Sequence, residues 1–477
     1  MLLKRLYDAN LAQASYLVGC QATGEALVVD PNRDVEQYQR AARDEGLRVT
    51  HVTETHIHAD FVSGSRELAA TAGAALLLSG EGGPDWQYAF AADAGATLLH
   101  DGDHFMVGNL RFDVLHTPGH TPEHLTFLVT DTPATTRPMG ALTGDFVFVG
   151  DVGRPDLLER AAKVAGTMEA SARTLYRSLQ RFATQPDYLQ LFPGHGAGSA
   201  CGKALGAVPS TTLGYEKIAN WAFGTGGEAE FVQEVLAGQP EPPAYFANMK
   251  RINKEGPAML RGVRRPDQLD AATLRARADG GHRVIDTRPA DRFAAAHVPG
   301  TINIPLNKSF TTWAGALISY DDAFSIIVDE RSPGSIDEAA RALAMIGLDH
   351  LDGYYDGSAV TAPRSDDRTA TSIPQITPQA LRTRMQSHDV QVVDVRGAAE
   401  WSAGHIPDVP NIPLGQLESS LTSLALDKPI VVQCQSGARS SIAASILQAR
   451  GATDVSNLVG GYAAWAAAGL RTERVDG

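Results

Sequence analysis

The stretch ETHIHADFVSG, Glu54 to Gly64, gathers His56, His58 and Asp60 into five residues directly after the apolar run LRVTHV. On an extended segment two histidines two apart point the same way, toward one ion. The same half of the chain holds HTPGHTPEH (His116 to His124), TGDFVFVGD with Asp145 and Asp151, and FPGHG with His195. Imidazoles and carboxylates are the donors that bind a divalent transition-metal ion, so this half reads as a metal centre. The histidines of HTPGHTPEH have helical spacing, but Pro118, Gly119 and Pro122 forbid a helix, and a turn must aim one of them at the ion. Residue types alone leave His120 against His116, and Asp145 against Asp151, open.

A second chemistry lies near the C-terminal end, where VVQCQSGARSSIAASIL puts Cys434 after an apolar strand and at the mouth of a helix. The amides of Gln435, Ser436, Gly437, Ala438, Arg439 and Ser440 are placed to curl around its sulfur, and the helix N-terminus adds positive potential. Both stabilise the thiolate, which is the nucleophilic form. Cys20, in SYLVGCQAT, reads as a small packed thiol. Cys201 lies six residues past His195 and is a candidate neighbour of the metal pocket.

The elements that must position these groups differ between the halves. Val284 to Leu306 realigns without a gap on Val392 to Leu414, so that Asp286 matches Asp394, His297 matches His405 and Asn303 matches Asn411, each pair 108 positions apart. A duplicated unit of about a hundred residues is one compact domain. Each copy alternates a capped helix with short β-branched strands, FSIIVDE in one and PIVVQC in the other, which predicts a mostly parallel sheet covered by helices. A four-residue gap then sets Glu330 opposite Cys434, so the first copy lacks the thiol. TAPRSDDRTATSIPQ, between the copies, reads as a linker. The first half instead shows strands EALVVD and VTHVTET flanking the helix VEQYQRAARDEGL. TLLHDG, LRFDVL, HLTFLVT and ALTGDFVFV follow as further short strands, giving a mixed β-rich domain.

A chain of 477 residues suggests roughly three domains. The predicted divisions are 1–255, 262–362 and 374–477. A net charge of −14 argues against nucleic-acid and anionic-membrane partners, which require clustered Lys and Arg. No apolar run has the length of a signal peptide or a membrane span, and three scattered cysteines exclude a disulfide framework. The expected location is the cytoplasm.

In their order, THxHxD, TPGHTP, TGD and PGHG resemble the metallo-β-lactamase superfamily over residues 1 to about 255. The resemblance implies an αββα sandwich. In that superfamily the first motif usually ends in a histidine that helps to hold a second metal, and this chain has Phe61 there. Loss of that ligand favours a mononuclear centre, as in the persulfide dioxygenases. By motif position their Fe(II), one per chain, would sit on His56, His120 and Asp145, a face that leaves positions open for substrate and oxygen. His58, Asp60, His195 and Cys201 would stand around it, and Arg154 would meet the anionic end of a thiol cofactor.

DVR, GHIP, NIP and GGYAAW around Cys434 resemble a rhodanese, which carries sulfur as a cysteine persulfide. Related phosphatases use a C-x5-R loop, whereas Cys434 to Arg439 is the shorter C-x4-R of sulfur carriers. The combined resemblance implies α/β multidomain architecture, with the sandwich followed by two rhodanese-like domains. It implies oxidation of a glutathione or coenzyme A type persulfide by O2 to sulfite, coupled to thiosulfate formation or use, in a homo-oligomer, dimer or tetramer. Two rival classes are a zinc-dependent thioester hydrolase resembling glyoxalase II and a sulfur-relay protein with a structural metal.

Overall fold

The computed structural model describes residues 1–160, 166–203, 205–362 and 370–475. Two compact units divide the chain: Met1–Arg264 with Arg341–Gly347, and Arg265–Ala340 with Leu348–Gly477. Residues 363–369 of the expected linker lie outside the described residues. No described helix is long and apolar enough to cross a membrane.

The first unit is built on two six-stranded sheets. One runs in the order β1 (Leu2–Asp8), β2 (Gln13–Cys20), β3 (Glu25–Val29), β4 (Arg48–Thr53), β5 (Ala75–Ser79), β6 (Thr97–Leu99). The other contains β7 (His104–Val107), β8 (Leu110–His116), β9 (Leu125–Asp131), β10 (Gly140–Gly144), β11 (Gln190–Pro193) and β12 (Thr211–Thr212), in sequential order from edge to edge. Alternation along the strands decides the layers. Tyr16, Val18, Leu27 and Val29 point toward Leu110, Phe112, Phe127 and Val129 of the second sheet and form the central core. Leu17, Ala26 and Val28 face the other way, under the helices Glu36–Asp44 and Ser65–Ala72. On the far side Leu128, Ala141 and Leu191 pack against Leu175, Leu179 and Phe182 of the helix Met168–Phe182. The layers are therefore helix, sheet, sheet, helix.

This sandwich delivers the polar motifs at strand ends. The HxHxD segment follows β4, the histidine-rich turn follows β8, and His195 follows β11 by two residues. The strand expected through ALTGDFVFV stops at Gly144, whose φ of +48° turns the chain. A Cβ there would stand 2.4 Å from Thr55 Oγ1 and 2.8 Å from His124 Nε2, so only glycine fits. Asp145 is thus the first residue beyond β10.

The second unit holds the repeat as two four-stranded sheets whose pairings are all parallel. The first orders β14 (Ile302–Asn303), β13 (Arg283–Asp286), β15 (Phe324–Val328) and β16 (Leu351–Asp356). The second orders β17 (Gln375–Ile376), β20 (Val455–Leu458), β19 (Ile430–Gln433) and β18 (Gln391–Asp394). The repeated residues hold this skeleton. Asp286 pairs in bidentate fashion with Arg288, as Asp394 does with Arg396, and all four are buried. Asn303 Nδ2 donates to the carbonyls of Asp286 and Arg288, and Asn411 Nδ2 to those of Asp394 and Arg396. His297 stacks on Phe293 and His405 on Trp401, each with ring centroids 3.9 Å apart.

The ladders correct one pairing. Asp286 lies opposite Ile327 and Asp394 opposite Gln433, so the residue matching Cys434 is Val328. Glu330 falls two residues further on, in a loop. The next helix starts at Ser335 in the first copy and at Ala438 in the second, so the first copy has the longer loop. A gap inside that loop escapes a sequence alignment because loop residues carry no periodic signal.

Candidate functional sites

In the first unit His56, His120 and Asp145 each present a donor atom, all within 4.8 Å of one another and all buried. Asp145 Oδ2 stands 3.8 Å from His56 Nε2 and 3.5 Å from His120 Nε2. Ligands about 2.1 Å from one ion sit roughly 3–3.5 Å apart, so a small closure onto a cation suffices. His56 Nε2 and both Asp145 oxygens are buried without a hydrogen-bond partner. Such atoms are costly unless something binds them, and a divalent ion fits the donor set.

Outer contacts leave these atoms free to ligate. Thr55 Oγ1 donates to Asp30 Oδ2 and therefore accepts from His56 Nδ1–H at 2.9 Å, which leaves the Nε2 lone pair inward. His120 Nδ1–H donates to the Arg154 carbonyl at 3.1 Å, and His195 Nδ1–H to the Ala12 carbonyl at 2.9 Å. Burial holds His120 down at about 3 and, helped by neighbouring imidazoles, His56 well below the usual histidine range. Both are neutral donors at pH 7. Burial also raises Asp145 to about 6, a cost that a nearby cation relieves.

The alternatives left open by residue type are resolved by hydrogen bonds. His116 Nε2 faces the Pro122 carbonyl at 2.7 Å, and Asp151 accepts from the amide of Lys203 and the indole of Trp221. His120 and Asp145 are the inward pair. His124 Nε2 accepts from the Asp145 amide at 3.1 Å and so supports the carboxylate from behind.

His58 turns away from the cluster. Its Nε2 lies 3.2 Å from Asp30 Oδ1, and Phe61 packs against its ring with centroids 4.4 Å apart. Burial opposes its charge, yet Asp30 and Glu54 outweigh that and lift it to about 9. Asp60 and His195 stand beside the triad, with His195 Nε2 3.3 Å from Asp60 Oδ2 and 3.4 Å from Asp145 Oδ1. Cys201 is buried with them. Arg154 is a correction. Its guanidinium is fully buried and engaged by Asp156 at 2.9 and 2.7 Å and by the carbonyls of Ala200 and Pro240. It braces the site instead of meeting a ligand. The supporting roles of Asp30, Thr55 and the Ala12 carbonyl escape sequence reasoning. Asp30 offers one faint signal, a carboxylate closing the apolar strand EALVV.

In the second unit β19 ends at Gln433 and Cys434 follows at once, 1% exposed, ahead of the helix Ala438–Ala449. Gly437, with φ +98°, brings its amide to 3.2 Å from Cys434 Sγ, and Ser440 Oγ lies at 3.5 Å. Among the described residues one backbone amide, that of Gly437, reaches the sulfur. Gly461 comes so near the Cys434 carbonyl that a Cβ would lie 2.1 Å from it, and the Tyr462 amide donates to that carbonyl. Arg439 is clamped by Glu400 through two bonds of 2.6 and 2.7 Å. A 680 Å³ cavity opens against Ser436, Ala438 and Arg439, its far wall formed by the first copy through Thr287, Asn307 and Trp313.

A solved metallo-β-lactamase structure from Staphylococcus aureus subsp. aureus COL shares 41% identity with this chain at a TM-score of 0.66, covering 75% of this chain and 99% of its own. The chain belongs to the metallo-β-lactamase superfamily. The superfamily's model matches residues 9–195, and that of the rhodanese-like domain matches 270–360 and 377–468. A metallo-β-lactamase domain is therefore fused to two rhodanese-like domains, with the expected α/β architecture. The metallo-β-lactamase half is 28% identical over 200 residues to the mitochondrial persulfide dioxygenase ETHE1 of Bos taurus, spanning 41% of this chain and 68% of that protein. It is also 29% identical over 185 residues to the hydroxyacylglutathione hydrolase of Rhodospirillum rubrum, spanning 38% of this chain and 60% of the relative.

Proposed function

We propose that the first domain is an Fe(II) persulfide dioxygenase and that Cys434 is the sulfur carrier of a coupled sulfurtransferase. The observation that carries the reading is the triad of His56, His120 and Asp145, backed by a His58 that faces Asp30. Two imidazoles and one carboxylate suit ferrous iron with open positions. The similarity to a persulfide dioxygenase and the rhodanese-like domains both favour sulfur chemistry.

Bound iron would supply a common centre for persulfide sulfur, oxygen and electron transfer between them. The chain's own part is to hold that ion on one side. Asp30 and Thr55 fix His56, the Arg154 carbonyl fixes His120, and His124 fixes Asp145. The balance is one persulfide RSSH, one O2 and one water giving the thiol RSH, sulfite and two protons. In the second domain the Cys434 thiolate attacks the outer sulfur of another RSSH, and the thiol departs. Sulfite then takes that sulfur from the Cys434 persulfide, giving thiosulfate and restoring the thiolate. The thiol is of glutathione or coenzyme A type.

A thioester hydrolase is the second reading, favoured by the hydrolase relative of comparable identity. Oxygen consumption by anaerobically purified, iron-quantified protein separates the two. Uptake in proportion to iron on adding glutathione persulfide or coenzyme A persulfide is the expected result, and His120→Ala abolishes it while sparing Cys434-dependent transfer. Full iron occupancy with no uptake from either persulfide overturns the dioxygenase.

A further inference from the structure

Most of the residues around the 680 Å³ cavity at the Cys434 loop come from the first rhodanese-like copy, which holds no cysteine of its own. Sulfite and thiosulfate, with a handful of atoms each, fill a small part of that space, whereas pockets of roughly 300–1,000 Å³ enclose a drug-sized ligand. The cavity is sized for a thiol carrier.

Three charged side chains line it, Asp329, Glu338 and Arg439, and two of them are already compensated. Asp329 pairs with Arg292, and Arg439 is clamped by Glu400. Glu338, exposed in the first turn of the helix Ser335–Met345, has no ion-pair partner among the described residues, although the adjacent Asp337 pairs with Arg265 at 3.6 Å. The wall's uncompensated charge is therefore negative. Asn307 Oδ1 accepts from the Ser309 amide at 2.8 Å, which leaves the Asn307 Nδ2 hydrogens to donate into the cavity. Trp313, half-buried on the helix Phe310–Leu317, adds an aromatic surface to the same wall as Pro305 and Leu306. A carboxylate for an ammonium, amide donors for carbonyl or carboxylate oxygens, and apolar surface for the carbon chain together suit a small peptide. Coenzyme A is opposed, because its phosphates would meet an unpaired carboxylate.

We propose that the cysteine-free copy is the specificity wall of the Cys434 site, and that the thiol it seats is peptide-like, with a free ammonium that Glu338 recognises: the glutathione class and not the coenzyme A class. The inference rests on Cys434 acting as a sulfur carrier and names its partner. In the direction that uses thiosulfate, the Cys434 thiolate attacks the outer sulfur and sulfite departs, leaving a Cys434 persulfide. The seated thiol RSH then attacks the outer sulfur of that persulfide. An RS–S bond forms as the Cys434 S–S bond breaks, the thiol's proton passes to the outer sulfur, and RSSH leaves Cys434 as its thiolate.

The test gives thiosulfate to the full-length protein without oxygen and follows sulfite release with glutathione, N-acetylglutathione, coenzyme A or cyanide as acceptor. N-acetylglutathione keeps the thiol and lacks only the ammonium. The expected kcat/KM with glutathione exceeds that with coenzyme A by at least about tenfold. It exceeds that with N-acetylglutathione by about fivefold, the scale of one partly exposed ion pair. Glu338→Gln lowers the glutathione value by about the same factor, mainly through KM, and makes the two glutathiones equal. Asp337→Asn, one residue away, keeps the wild-type preference. The inference is overturned if the wild-type protein uses N-acetylglutathione as well as glutathione, or if coenzyme A is the better acceptor. It is also overturned if Glu338→Gln slows transfer to cyanide by the same factor, which marks a structural role. Absence of Cys434-dependent transfer even to cyanide removes the sulfur carrier and the inference with it, so the two readings fail at different acceptors.

Discussion

The two rhodanese-like domains have one skeleton and opposite endowments. Each closes its sheet with a buried aspartate and arginine pair, an asparagine bridging two carbonyls and a histidine stacked on an aromatic ring. At the end of the equivalent strands one has Cys434 and the other Val328. Even the clamp beside the loop is reversed. Glu400 holds Arg439 in the second copy, whereas Arg292, which aligns with Glu400, holds Asp329 and Glu330 in the first. The motifs that survived duplication are those that hold the fold, whereas the thiol position, its loop and the clamp on the neighbouring helix differ. The first copy instead contributes a wall to the cavity at the Cys434 loop.

The sharpest division comes from the thiol. Cys434→Ser is expected to lower thiosulfate formation by at least about 10³-fold while leaving oxygen uptake, so sulfite accumulates. Thiosulfate production that persists enzymatically would move sulfur transfer elsewhere. Next in size, Asp286→Ala and Asp394→Ala each strand a buried arginine and should cost about 3–5 kcal/mol, read as a lowered melting temperature of the second unit. Similar losses in the two copies would confirm that the repeated motif is structural, whereas a loss confined to Asp394→Ala would tie it to sulfur transfer.

Smaller effects probe the reversed clamp. Arg439 holds the Glu400 carboxyl below the usual glutamate range. The pair's stabilisation is therefore complete above an ordinary glutamate pKa of about 4.3 and is lost as pH falls through the depressed value. Glu400→Gln removes that acid limb and frees Arg439, and the KM for sulfite should fall by about 3- to 10-fold, in line with about 1 kcal/mol for a partly exposed pair. An unchanged KM would exclude Arg439 from anion binding. Last, Val328→Cys in the Cys434→Ser background should restore no transfer, because its loop is longer and carries Asp329 and Glu330. Thiosulfate formation by that double variant would show that a cysteine alone makes this fold a carrier.

Much of the donor chemistry was legible because it is local. The HxHxD spacing, the glycine-bearing turns and the strand–Cys–helix order each constrain neighbouring backbone, and the repeat exposed the second unit's parallel sheets. The thiol loop needed few distant residues to be recognised. Its loop partner in the first copy was misplaced because an insertion fell where no hydrophobic period marks register.

The sequence by itself determined which donor types were available, that the thiol domain is duplicated and that only one copy carries a cysteine at the loop. Motif position pointed to His120 and Asp145, and tertiary structure turns them inward; it alone decided that His58 belongs to Asp30 and that Arg154 is a brace. Those outcomes depend on partners far along the chain, such as the Ala12 carbonyl that holds His195 across 183 positions. Covalent spacing controls the direction of a side chain over a few residues, but the packing of two sheets decides which strand ends meet and which buried atoms are left for an ion.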